Sequence, residues 1–499
     1  MEQPYLLVQQ TGSDVHVEGC NPYRAGSRED GLFVEWYWDG ETLIVANDRY
    51  GFYPAYYYTK RGCFAISTSI PQLLRLSGSA DLNDVGLALF LRLGYFIGDH
   101  TAFRHIRALP PSAMVDWKNG NAEVFGHPVQ LRRQQIARAD AIDGYIAAFR
   151  DAIRQRVPDD RFATPLSGGR DSRHILLELS RLGYRPDWCI TARTKEEEVH
   201  VAGAIAAALE LEHTVVETEE YACDAELRKN LLTQFGTTEH GWVLAITDFL
   251  AGKVRVLYDG LAGDVLSAGH FLTKERLELF DTGRLAHLAA MLMPIELESA
   301  LALILPSDMY RQLHRDAALA ELENELKQHQ EAANPVASYF LANRTRRVAA
   351  LSPCCIYAQV GKVFCPYLDR AVYDLLGSLP AETFLDYTFH TEAIRRAYPR
   401  YSSVPFEAKP QFSATPTRKP MSAGASQTRR WRRFALQLLR YAYWGRPPRW
   451  VRTVFLLPRL LRCTSDREFC VSANWFLLPA VYLIQLERLC RNAEPDTTL

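Results

Sequence analysis

The 499-residue chain lacks a long apolar run, a charge imbalance and any paired-cysteine motif. No stretch reaches the roughly 18 apolar residues that a membrane-spanning helix needs, so no transmembrane segment is expected. The start, MEQPYLLVQQTGSDVHVEGC, has no basic leader followed by an apolar segment, and no secretory signal is expected either. Lysine and arginine number 57 against 58 acids, a net charge of -1 that predicts no general attraction to nucleic acid or membrane. Ten cysteines occur without CxxC spacing. Their one close pair, Cys354-Cys355, is adjacent and makes no metal site, and unpatterned thiols predict small buried side chains in a reducing cytoplasm. A Walker phosphate loop is missing too, because no Gly-Lys-Ser/Thr follows a glycine after four spacer residues.

What is present reads as a soluble chain of two to four domains, with 48% hydrophobic and 23% charged residues. From Gly31 to Phe125 apolar runs flank the turn pairs Asp39-Gly40, Lys60-Arg61-Gly62 and Asn119-Gly120. Those are hairpin signals and predict an antiparallel, sandwich-like β domain over 1–128, with a helical insert near DVGLALFLRLGYF. HPVQLRRQQIARADA reads as a linker, placed at 129–141 between the two units. Beyond it strands (RFATPL, DWCITAR, HTVVET, VRVLYDG) alternate with amphipathic helices, which predicts βαβ units, a mostly parallel sheet and an α/β domain over 142–499. Helical patterns dominate from about 275 to 390. The region 418–499 opens with an arginine-rich, acid-free stretch to Arg462.

The segment PLSGGRDSRHILLEL ends a strand in a polar glycine turn and then starts a helix. Gly168 and Gly169 admit a ligand close to the backbone and tolerate positive φ. A helix beginning near Asp171 or Ser172 points free N–H groups and a positive dipole end at the turn. Ser167 and Ser172 add hydroxyls. Asp171 would repel phosphate unless a divalent cation, Mg²⁺, sits between them. On mechanics alone the alternative is a glycine turn with an Asp/Ser helix cap.

LSGGRDS resembles the PP-loop of the ATP pyrophosphatase superfamily, and most closely that of asparagine synthetases. EEEVHVAGAIAAALELEHTVVET, LYDGLAGDVLSAG, FCPYLDRAVYDLLGSLP and EAIRRAYPRYSSVPFEAKPQF are similar to further segments of that family, in the right order. Upstream, ANDRYGFYPAYYYTKRGCFAISTSIPQLLRL looks like the second half of its glutaminase domain. The resemblance implies ATP and Mg²⁺ as cofactors. It implies that Ser167, Gly168, Gly169 and Ser172 hold pyrophosphate, that Asp171 and Asp264 bind the metal, that Gly260 packs against nucleotide, and that Lys409 is catalytic. Asp264 as a helix cap and Lys409 as a surface lysine stay open. Arg170 and Arg173 are open between facing phosphate and riding the helix surface, while His174 and His213 read as structural.

Two departures shape the functional expectation. Glutamine-hydrolysing members carry a nucleophilic cysteine after the initiator methionine, where this chain has Glu2, so no glutaminase activity is expected. Acids of the family's second glycine turn are replaced by Leu261 and Val265. The expected function is therefore an AMP-forming, ATP-dependent amide ligase acting on small-molecule or peptide carboxylates and amines, in natural-product or surface-polysaccharide metabolism. Alternatives are a lasso-peptide-type macrocyclase, partnered by a precursor peptide and a protease, and a lapsed nucleotide-binding scaffold.

Overall fold

The computed structural model describes residues 3–129, 131–218, 223–407, 425–444 and 446–493. The front unit pairs two antiparallel sheets. One has the order β2-β1-β7-β6-β8, from β1 (Tyr5–Thr11), β2 (Asp14–Gly19), β6 (Tyr56–Lys60), β7 (Cys63–Ser67) and β8 (Ile106–Ala108). The other is β3 (Tyr23–Ser27), β4 (Leu32–Trp38) and β5 (Leu43–Asn47). Alternation explains the sandwich: Leu6, Val8, Phe64 and Ile66 from one sheet meet Val34, Trp36 and Val45 from the other in a single apolar cluster. The opposite face of the first sheet, with Leu7 and Ala65, packs on α1 (Ile70–Ser77) and α2 (Asp84–Leu93). A separate hairpin joins β9 (Met114–Lys118) to β10 (Asn121–Phe125) through Asn119 and Gly120, both with positive φ.

All three expected hairpins are present. The first three strands were not expected. Half of β1 is continuously apolar and shows no two-residue period, while β2 alternates through Val15 and Val17 only, two apolar positions on a largely solvent-facing strand.

The second unit begins with α3 (Arg138–Arg154), which starts inside the stretch read as linker. Then follow β11 (Phe162–Pro165), α4 (Asp171–Arg181), β12 (Trp188–Ala192), α5 (Glu196–Ala208), β13 (His213–Val216), α6 (Cys223–Leu232), α7 (Val243–Leu250), β14 (Val256–Tyr258) and α8 (Gly263–Ser267). With β15 (Lys362–Phe364) the strands form a fully parallel sheet of order β13-β12-β11-β14-β15. The chain winds outward from β11 on one side and then returns to lay β14 on its other side. The β11/β14 boundary is therefore the point where strand order reverses, the place beyond the carboxyl ends where parallel sheets generally take ligands. Both glycine turns, 167–170 and 259–263, leave the sheet at that boundary.

Helices complete the unit, and two unexpected π-helical segments, Leu341–Ala349 and Ser352–Ile356, run through its interior. The units share one core, and polar contacts seal them. Tyr50 Oη donates to Leu368 O at 2.9 Å, and Arg346 contacts Asp99 at 3.0 Å and Leu109 O at 2.7 Å. All ten cysteines are free thiols. Among the described residues no single helix is long and apolar enough to cross a membrane.

Candidate active site

The turn after β11 closes on itself. Ser167 N donates to Ser172 Oγ at 3.1 Å, the two hydroxyls lie 3.1 Å apart, and Gly169 N donates to Ser167 Oγ at 3.2 Å. Neither Gly168 nor Gly169 has positive φ, so left-handed backbone is not what these glycines supply. They supply room. A Cβ on Gly168 would meet Glu407 Cβ at 3.3 Å and Val201 Cβ at 3.4 Å. Glu407, which the sequence reading passed over, lies across the loop and its N–H donates to Gly168 O at 3.0 Å.

The second turn presses against the first. A Cβ on Gly260 would lie 2.6 Å from Asp171 Cβ, and one on Gly263 2.7 Å from Asp171 Cγ. Ala262 takes a left-handed φ of 70°, a strained setting for alanine of order 1–3 kcal/mol. It swings the start of α8 so that the Asp264 backbone N–H lies against the Asp171 carboxylate. Asp171, Asp259 and Asp264 thus converge. Asp171 titrates well above the usual carboxylate range, first because it is desolvated and second because Asp264 repels its charge. Its Oδ1 has no hydrogen-bond partner. Burial pushes Asp259 up to about 6, against the stabilising Leu261 N–H, which donates at 2.8 Å. Asp264 is not the residue before α8 but stands in its first turn, where Oδ1 accepts from Val265 N. Leu261 and Val265, where acids were missed, are buried in the core.

Behind Asp171 lies a buried polar network that the sequence did not reveal. His390 Nδ1 is 3.4 Å from Asp171 Oδ1 and 2.8 Å from Ser267 Oγ. Ser267 donates to Gly263 O at 2.6 Å, so its oxygen accepts from His390 Nδ1–H. His390 is fully buried and desolvation holds it neutral, which leaves Nε2 to accept from Tyr145 Oη at 3.0 Å. His174 Nδ1 lies 3.1 Å from the same Nε2, and burial pushes His174 down to about 3. The network ties α3, α4, α8 and the Phe389–Ala397 helix together behind one carboxylate.

Of the open basic residues, Arg170 donates to Thr391 Oγ1 at 2.7 Å and stacks over Tyr387. Arg173 is buried, pushed down to about 10 by desolvation, and holds the Val404 and Pro405 carbonyls, so it braces the chain beside the loop. His213 Nε2 sits 2.8 Å from Thr191 Oγ1, which donates to Leu166 O at the end of β11. Lys409 lies outside the described residues.

A pH dependence follows from the acid cluster. With Asp259 raised to about 6, above the roughly 4 of an unfolded carboxylate, the folded protein holds more of its proton between about pH 4 and 6. The favourable contribution of Asp259 is therefore present below pH 4 and lost as pH rises through 6. Asp259→Asn keeps an oxygen for Leu261 N and should flatten that slope, read as denaturant midpoints of the nucleotide-free protein at about pH 4.5 and 7. An unchanged difference between the two midpoints would contradict the assignment.

Comparison with known families places this geometry. Residues 24–127 match the glutamine amidotransferase domain. Residues 145–407, more than half of the chain, match asparagine synthase, and this span contains both glycine turns, the three aspartates and His390. No curated protein matches the chain. A parallel sheet with its glycine turns at the reversal point, under a match of this extent, makes the chain a member of the asparagine synthase family, whose chemistry is ATP-dependent amide ligation.

Proposed function

We propose that the enzyme transfers AMP from ATP to a substrate carboxylate, releasing pyrophosphate, and that an amine then displaces AMP to form an amide without glutamine hydrolysis. The observation that carries this reading is the Asp171 carboxylate, with one oxygen unpartnered, facing Asp264 at the mouth of the sheet beside a hydroxyl-lined glycine turn.

The donor set supports Mg²⁺ there. Among the described residues no group of three or more His, Cys, Asp or Glu, the converging aspartates included, is placed to hold a metal ion by itself. Two carboxylates are what a hard cation needs when phosphate oxygens complete its shell. Asp171 and Asp264 would hold the ion, which when bound offsets charge building on the leaving pyrophosphate. Ser167, Ser172 and the loop N–H groups orient the phosphates for in-line attack by a carboxylate oxygen on the α-phosphorus. The Pα–O–Pβ bond breaks as the new P–O bond forms. The amine then adds to the acyl carbon, AMP leaves with the bridging oxygen, and one proton is lost. Lys409 is proposed as a fixed cation for the developing negative charge.

Loss of glutaminase is supported by the thiols of the front unit. Cys20 is exposed on the surface after β2, and Cys63 has its thiol pushed up by burial, the opposite of nucleophile activation. Pyrophosphate release over a panel of carboxylic acids and peptides, with ammonia, amines or glutamine, tests the reading. Acid-dependent release with no glutamate formed from glutamine is expected. Glutamate formation would overturn the absence of glutamine hydrolysis, and tight ATP binding without release on any acid would leave a nucleotide-binding scaffold. Ring closure of a peptide would select the macrocyclase.

A further inference from the structure

Between residues 408 and 465 the chain carries 13 lysines and arginines and no acid, whereas the remainder has 44 against 58 acids. The near-neutral total therefore hides a strongly basic segment on an acidic body. The described part of that segment folds as two helices, Ala425–Tyr443 and Thr453–Ser465. Arg432, early in the first, donates to Thr464 O, late in the second, so the two run antiparallel side by side. The first buries Trp431, Phe434 and Leu438, and the second buries Phe455, Leu456 and Leu460, all in the same core.

Their outward stripes are of a different kind. On the first, Arg433, Leu436 and Arg440 follow at helical spacing and lead to Trp444 just beyond the helix end. On the second, Val454 and Leu461 face out. Trp444 is 86% exposed and Val454 75%. Arg433, Arg440 and Arg446 form no ion pair among the described residues. Desolvated guanidiniums would be costly here, but nothing desolvates them. An exposed tryptophan and aliphatic side chains set among unpaired arginines, on a firmly anchored helix pair, is the composition that suits a headgroup layer.

We infer that this face docks on an anionic lipid bilayer. Lipid phosphates attract the arginines, at roughly 1 kcal/mol per basic residue near the surface. Trp444, Val454 and Leu461 enter the boundary between headgroups and acyl chains. The acidic remainder turns the rest of the molecule outward. Phosphate attraction alone, as in nucleic-acid binding, would give the arginines a role but none to the exposed aliphatic groups.

Co-sedimentation of the full chain with vesicles tests this. Vesicles of phosphatidylcholine with about one quarter phosphatidylglycerol should bind it, and pure phosphatidylcholine should not. Arg433→Gln/Arg440→Gln should weaken binding about tenfold or more, and raising salt from about 50 to 300 mM should do likewise. Trp444→Phe should remove a blue shift of tryptophan emission on vesicle addition. Thermal melts of each variant should match the parent, since every position is on the surface. Absence of binding to the anionic vesicles overturns the inference. So does binding that is insensitive to both variants, or a single-stranded oligonucleotide or polyglutamate that outcompetes the vesicles.

Discussion

Asp171→Asn will abolish ATP–pyrophosphate exchange, by at least about a hundredfold, while leaving the melting temperature equal to or above that of the parent. The two halves of that result come from one cause. The carboxylate is desolvated, repelled by Asp264 and unpartnered at Oδ1, so in the empty protein its charge is a burden. Asparagine has the same shape and no charge, and the burden disappears. The proposed cation and phosphates, however, are what the charge serves, and an amide binds a hard cation poorly. Asp264→Asn should behave alike in exchange. If exchange survives in Asp171→Asn, the metal assignment is wrong. If exchange and melting temperature fall together, Asp171 is a structural residue.

Gly260→Ala will both destabilise the fold by about 1–3 kcal/mol and abolish exchange, although the change adds one methyl group and touches no charge. The new Cβ would lie 2.6 Å from Asp171 Cβ and 3.6 Å from Ser172 N. A Cβ has no torsion that moves it away, so the backbone of one turn must yield and the two turns must part. Gly169→Ala is the control. Its Cβ would meet only Ser167 Oγ, at 3.2 Å, and a hydroxyl rotates. Its stability should stay within about 1 kcal/mol of the parent, the difference expected of Gly and Ala themselves. Denaturant unfolding of both variants decides: equal losses would mean that contact between the turns is not what makes residue 260 glycine. The resemblance implies packing of Gly260 against nucleotide; in the structure the side a Cβ would occupy is closed by Asp171.

Where the chain declares itself locally, its sequence was readable. Asn119-Gly120 between two apolar runs permits one kind of tight hairpin, and that hairpin formed. Phe162–Pro165, the glycine turn and α4 likewise show a strand, a break and an amphipathic period in order. β15 was invisible because three residues carry no period, and it becomes a strand only by pairing Val363 with Leu257 of β14. The π-helical turns of 341–356 were equally hidden, since their pattern is that of any buried helix. His390 had no signal at all. It lies 219 positions from Asp171 in the chain, and one histidine in a helix says nothing about what it faces.

By itself, then, the order of residues decided the three hairpins, β11, the glycine turn and α4, because those choices depend on neighbours a few positions away. It also decided that a glycine turn with serines and an aspartate would open α4. Only the tertiary structure decided that Asp259, Asp264 and His390 gather around Asp171, that Gly260 is required by a carboxylate rather than by backbone twist, and that Arg173 braces chain instead of facing phosphate. Those outcomes rest on long-range packing at the reversal point of the parallel sheet, where desolvation and charge from distant segments add at one spot.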